Sequence, residues 1–180
     1  MKKIVLFSIA VIFSISLNGC KRAAPLKSNS SSTATTSVTT NTSTIYENTQ
    51  YGFKFSLPNS WKGYSIVTDK WEGRDTKSGN VTETGPMFSI RHPQWTSATP
   101  RQDIPIMVFT IAQWKLVLQE TLAVSAAPIG PSELGRNSNY VFALPARYNF
   151  AYPLGYEEVE QILQGKPLHP IQPTSNPQIK

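Results

Sequence analysis

Between Ser28 and Thr44 the chain reads SNSSSTATTSVTTNTST, and 13 of these 17 residues are Ser or Thr. Such a stretch has almost no apolar surface to bury, so nothing offsets the entropy of ordering it. It is expected to be a disordered tether. Aromatic residues begin abruptly at Tyr46. Any hydrophobic core must therefore come from residues 45–180, enough for a single domain. The one cysteine, Cys20, precedes the tether. No disulfide can brace the domain, which must stand on apolar packing alone.

The residues ahead of the tether carry an address. Lys2 and Lys3 precede an uncharged run, IVLFSIAVIFSISL, from Ile4 to Leu17. Secretory signals have this length, whereas a membrane-spanning helix needs about 20 apolar residues. Leu17-Asn18-Gly19-Cys20 then resembles the bacterial lipobox, with an aliphatic residue, a small residue and the thiol that takes the lipid. Residues 1–19 are expected to be a lipoprotein signal peptide and Cys20 the lipidated residue. A plain secreted protein, or a buried structural cysteine, is the competing reading. Acyl chains add about 0.8 kcal/mol per buried CH₂, and two or more anchor stably. Lys21, Arg22 and Lys27 follow where anionic headgroups would attract them. The 24 residues from Lys21 to Thr44 would span about 25–30 Å as a flexible coil.

Charge narrows the function classes. The chain has 17 Lys and Arg against 11 Asp and Glu, which at first suggests a polyanion partner. Five of the cations lie before residue 45, however, leaving 12 against 11 beyond it. A nearly neutral domain lacks the basic stripe that nucleic-acid binding needs, and export argues against it as well.

Within the domain, Tyr51, Phe53, Phe55 and Leu57 alternate with Gly, Lys and Ser, the period of a half-buried strand, and Pro58 ends it. Lys62–Trp71 reads as a second strand, and Glu72–Gly85, charged and without apolar period, as a long loop. MFSIR at 87–91 reads as a strand ended by His92-Pro93, followed by a polar connection from Trp95 to Asp103. IPIMVFT at 104–110 is apolar throughout, as a strand buried on both faces would be. Thr110 fits an N-cap for a helix over 112–119. LAVS at 122–125 and YVFAL at 140–144 read as strands, and the prolines of 126–131 forbid regular structure there. Gly130–Arg136 reads as a loop-to-strand junction. YEEVEQILQ at 156–164 reads as a helix with acids at its N-terminus and Gly165 at its C-cap. The proline-rich remainder reads as a non-helical tail.

YGFKFSLPNSW resembles the opening strand and turn of PsbP/Mog1-like domains. GPMFSIRHPQWT, PRQDIPIMVF, SAAPIGPSELGRNSNYVFALPARYNFA and GYEEVEQIL look like a narrower group of uncharacterised lipoproteins from spore-forming Gram-positive bacteria. The resemblance implies an α/β (α+β) sandwich with a central, mainly antiparallel sheet flanked by helices. It also implies a binding role, since PsbP and Mog1 are partners of photosystem II and of a Ran-type GTPase. No partner-contact residue transfers onto a matching motif here.

Chemical signatures are few. The histidines, His92 and His169, stand far apart and each adjoins a proline, so no metal-ligand spacing exists and no cofactor is expected. His92, Asp103 and a serine could be written as a triad, but no G-x-S-x-G elbow surrounds any serine. Asp69, Glu72, Asp75 and Glu83 read as solvated charges rather than a glycosidase pair. Gly130–Arg136 lacks the order that cradles phosphates. No catalytic residue is assigned. Trp61, Trp71, Trp95 and Trp114, with Tyr140, Tyr148, Tyr152 and Tyr156, leave two options, core packing or binding. Trp95 stands apart because it falls in a polar loop between Arg91 and Arg101. The candidate binding residues are Arg91, His92, Trp95 and Arg101, with Arg147 and Tyr148 as a second choice. The expectation is a lipid-anchored, extracytoplasmic, non-enzymatic module that binds a protein. A glycan or small-ligand binder is the alternative, and a hydrolase with a dispersed site the third.

Overall fold

The structure, a computed structural model, describes residues 43–172. The signal peptide, Cys20, the tether as far as residue 42 and the tail from 173 onward lie outside the described residues. The last two tether residues do not: Thr44 already begins the first strand.

Nine strands and two helices follow in chain order among the described residues. They are β1 (Thr44–Asn48), β2 (Phe53–Leu57), a 3-10 turn (Asn59–Trp61), β3 (Ser65–Asp75), β4 (Val81–Arg91), β5 (Ile104–Thr110), α1 (Ile111–Leu118), β6 (Leu122–Ala123), β7 (Ser132–Arg136), β8 (Tyr140–Leu144), α2 (Tyr156–Gln164) and β9 (Leu168–Pro170). They form a three-stranded sheet, β1-β2-β9, and a six-stranded sheet, β6-β3-β4-β5-β8-β7, and every pairing is antiparallel. The fold is α+β and dominated by its sheets.

The six-stranded sheet is covered on both sides. On one face Phe88, Ile90, Ile104, Ile106, Val108 and Phe142 pack against Phe53, Phe55 and Leu57 of the small sheet and Val159 of α2. On the other, Trp71, Met107, Phe109, Val141 and Ala143 pack against Trp114 of α1 and Leu122. Strand β5 supplies both clusters from alternate residues, which is why its sequence is apolar throughout. Burying its large side chains contributes about 1.5–3 kcal/mol each.

Polar groups fix the joints. Thr110 Oγ1 accepts from Gln113 N–H at 3.2 Å while Gln113 Oε1 accepts from Thr110 N–H at 2.9 Å, a complete capping box for α1. Asn137 Nδ2 donates to the carbonyls of Tyr51, Gly52 and Ile171 at 2.8–3.1 Å, which ties the β7–β8 turn to the small sheet. The Trp71 indole donates to Val108 O at 2.9 Å and stacks on Phe109. It lies so close over Gly85 that a Cβ there would come within 2.6 Å of the ring. Glycine is required at that position by this approach.

One sequence expectation is corrected. Glu72–Gly85 is not a loop: both arms of a hairpin continue through it, and only residues 76–80 turn. Its alternation hides in charge, because Trp71 and Gly73 face the core while Glu72 and Arg74 face water. The turn is built by Asp75, whose carboxylate accepts from Lys77 N–H, Ser78 N–H and Ser78 Oγ–H. Those bonds hold Asp75 below its ordinary pKa. Gly130–Arg136 is the loop-to-strand junction expected, with irregular residues 130–131 leading into strand β7 at Ser132–Arg136. The start of the non-helical tail, Leu168–Pro170, is a strand that pairs with β2.

Candidate functional site

Two connections meet beside the N-terminus of α2. One joins β4 to β5 (residues 92–103) and the other joins β8 to α2 (residues 145–155). Gln102 binds them together. Its side-chain amide donates to the carbonyls of Asp103 and Tyr148 at 2.7 and 3.1 Å, and its backbone N–H donates to Leu154 O at 2.8 Å. Gln102 is buried and its Oε1 has no partner among the described residues.

In the first connection, Arg91 grips Asp103 through Nε (3.1 and 3.2 Å) and Nη2 (2.7 Å). The bonds to the carboxylate raise the guanidinium pKa and keep it charged. The same guanidinium carbon sits 3.9 Å from the centre of the Trp95 ring, a cation–π contact. Trp95 is half-buried, so one part of an immobilised indole faces water.

His92 points the other way. It is 4% exposed and meets Trp61 edge-on at 5.0 Å. Its Nδ1 accepts from Gln94 N–H at 3.1 Å, which places the proton of the neutral ring on Nε2. Burial lowers its pKa, the Arg101 charge lowers it further, and Glu158 opposes them. Arg101 is itself taken up by Glu158 at 3.6 Å, and Glu158 also accepts from Ser60 Oγ–H at 2.8 Å. Asp103 belongs to Arg91, and the Ser60 hydroxyl is given to a carboxylate. The hydrogen bonds a His92–Asp103 triad would need are committed elsewhere.

The second connection holds Arg147 and Tyr148 and is unusual in its backbone. Arg147, Ala151 and Tyr152 have φ of 55°, 69° and 49°. This is the left-handed region, which costs a side-chain-bearing residue about 1–2 kcal/mol. Internal turns fix it: Phe150 N–H donates to Arg147 O at 2.9 Å and Tyr152 N–H to Asn149 O at 3.0 Å. The Asn149 side chain is held by Glu160 at 2.7 Å. Tyr148 packs toward the core, and burial followed by the Glu160 charge raises its pKa. The result throws Phe150, Tyr152 and Leu154 outward at 76%, 69% and 54% exposure.

Of the six candidate residues, the fold thus brings Arg91 and Trp95 together and leaves Arg147 exposed on the other connection. It buries His92, commits Arg101 to an ion pair and turns Tyr148 inward. His92 is corrected from a contact residue to a packed one, because its imidazole is enclosed by Trp61 and its own backbone. Sequence reasoning missed Asp103 as the partner of Arg91, and Phe150 and Leu154 altogether. The available signal was Phe150-Ala-Tyr152-Pro-Leu154, an apolar alternation stranded between two elements with no strand to pair it.

Among the described residues no group of three or more His, Cys, Asp or Glu gathers as a metal site would require. No helix among them is long and apolar enough to cross a membrane. No protein-family model, curated protein or solved structure matches the chain.

Proposed function

We propose that the chain is an extracytoplasmic lipoprotein, acylated on Cys20, whose folded part is a non-catalytic module that binds another protein through Arg91 and Trp95. The observation that carries this reading is the Asp103–Arg91–Trp95 stack. Tryptophan and arginine dominate binding hot spots, and a side chain already fixed before binding loses less entropy on contact. The carboxylate fixes the guanidinium, and the guanidinium fixes the indole. The absence of catalysis is supported by the fates of His92, Ser60 and Asp103, each engaged in a structural contact. The finer PsbP/Mog1-like assignment belongs to the same proposal. Its support is an antiparallel six-stranded sheet with α1 on one face and α2 on the other.

The test is crosslinking on intact cells through a tag at Lys180. One dominant protein is expected with the wild-type chain, and its recovery should be lost in Trp95→Ala and in Cys20→Ala. Equal recovery from Trp95→Ala would remove this patch from the contact. Recovery of wall fragments alone would replace the protein partner with a glycan. Loss of incorporated palmitate in Cys20→Ala tests the anchor separately.

A further inference from the structure

The β8–α2 connection combines three properties rarely found together on a soluble surface. Its apolar side chains are exposed, its backbone is strained, and the turn amides that carry those side chains are satisfied from within. Phe150 and Tyr152 donate their amides to Arg147 O and Asn149 O, and Leu154 gives its carbonyl to Gln102. Water is therefore not needed to satisfy these backbone groups. An apolar medium imposes this condition on any backbone that enters it. The outward side chains are Phe, Tyr and Leu, the types that settle at the level of lipid headgroups, with the long stem of Arg147 beside them.

We infer that Phe150, Tyr152 and Leu154 seat in the interfacial layer of a lipid bilayer and orient the domain on it. The inference rests on the anchored reading of Cys20: 24 residues separate that cysteine from the end of the tether, a reach of about 25–30 Å. The start of the domain is thereby kept, on average, about 25–30 Å from the bilayer surface. Charge selects the lipid. Glu158 is engaged by Arg101 and Ser60, and Glu160 by Asn149, so the exposed charges of this loop and the first turn of α2 are one of each sign, Arg147 and Glu157. The seat therefore takes zwitterionic headgroups, with no requirement for anionic ones. Exposed aromatics could equally meet a protein groove. The satisfied amides of Phe150 and Tyr152 and the short tether favour the bilayer.

The experiment uses the full acylated chain in phosphatidylcholine vesicles. Cys20 is the only native cysteine and its thiol is blocked by lipid, so Tyr152→Cys accepts an environment-sensitive fluorophore at one site. The expected result is blue-shifted emission quenched by nitroxide-labelled lipid, unchanged by added phosphatidylglycerol. Adding Phe150→Asp should lower the seated fraction about tenfold, while the thermal midpoint stays put because Phe150 is exposed. If the protein floats with the vesicles but the label reports water, the seat is overturned and the anchor stands. If the protein does not float with the vesicles, the anchored reading falls and the inference with it. If the label is shielded only in native envelopes and not in pure lipid, the loop belongs to a protein and the bilayer seat is overturned.

Discussion

The two connections that meet at Gln102 are nearly equal in length, and each carries aromatic residues, yet they treat them in opposite ways. In residues 92–103 the backbone is ordinary and side chains do the holding: Asp103 fixes Arg91, and Arg91 covers Trp95. In residues 145–155 the exposed aromatics have no charged partner and the backbone does most of the holding, through left-handed residues locked by turn bonds. Exposure of an aromatic is thus set by electrostatics in one loop and by chain geometry in the other. The first should respond to charge mutations and salt. The second should not.

The strongest way to break the comparison is to cut the residue that joins its halves. Gln102→Leu leaves two carbonyls, Asp103 O and Tyr148 O, without their donor. Each such loss costs about 1–3 kcal/mol. A total of about 2–3 kcal/mol is expected, read as a fall of about 8–12 °C in thermal midpoint. Hydrogen exchange should accelerate in both connections at once. Acceleration in only one would show that they do not form a unit. Asp103→Ala comes next, with about 1–2 kcal/mol expected for a bidentate pair that is only partly exposed. Its sharper readout is local: Trp95 fluorescence should become more accessible to acrylamide, while a label at position 152 reports no change.

Much of the scaffold was legible because its local pattern matches its burial. IPIMVFT needs two covered faces, and YEEVEQILQ places acids, apolar stripe and Gly165 where a helix wants them. Strands β1 and β9 and the outer arms of the β3–β4 hairpin were not legible, because each buries too few apolar side chains to set a period. Thr44–Asn48 buries only Tyr46, and Glu72 and Arg74 point outward. At the site, the pairing of an arginine with Trp95 could be read from a polar loop holding one indole. The shape of residues 145–155 could not, because it depends on a hydrogen bond to Gln102 from 46 positions away. No local pattern encodes a contact of that separation.

A graded effect comes from His92, the buried first residue of the first connection, with Arg101 and Glu158 facing it. Its folded pKa is lowered from an ordinary 6.5, first by burial and then by Arg101. Below 6.5 the unfolded chain takes up the proton before the folded chain does, so stability falls as pH drops toward the folded value. Above that window the contribution is complete and flat. Denaturation midpoints measured from about pH 7.5 down to about 5.5 should decline more steeply for the wild type than for His92→Gln, which carries no titrating ring. Parallel curves would mean that the imidazole accepts its proton without disturbing the pocket.

The smallest effect has the opposite sign and sharpens the comparison most. Ala151 sits at φ 69° and is exposed, so its side chain contributes conformational cost and no packing. Glycine removes a penalty of about 1–2 kcal/mol for the left-handed region. It also adds unfolded-state entropy worth about 0.5–1 kcal/mol. The net expectation for Ala151→Gly is a gain of about 0.5–1 kcal/mol in denaturant unfolding. If geometry alone presents the aromatics, the same substitution loosens what holds Phe150 and Tyr152 outward. A label at position 152 should then tumble faster while the whole protein becomes more stable. Opposed changes in local order and global stability would identify backbone strain as the device that keeps this loop exposed. Changes of the same sign would return the role to its side chains and make the two connections alike.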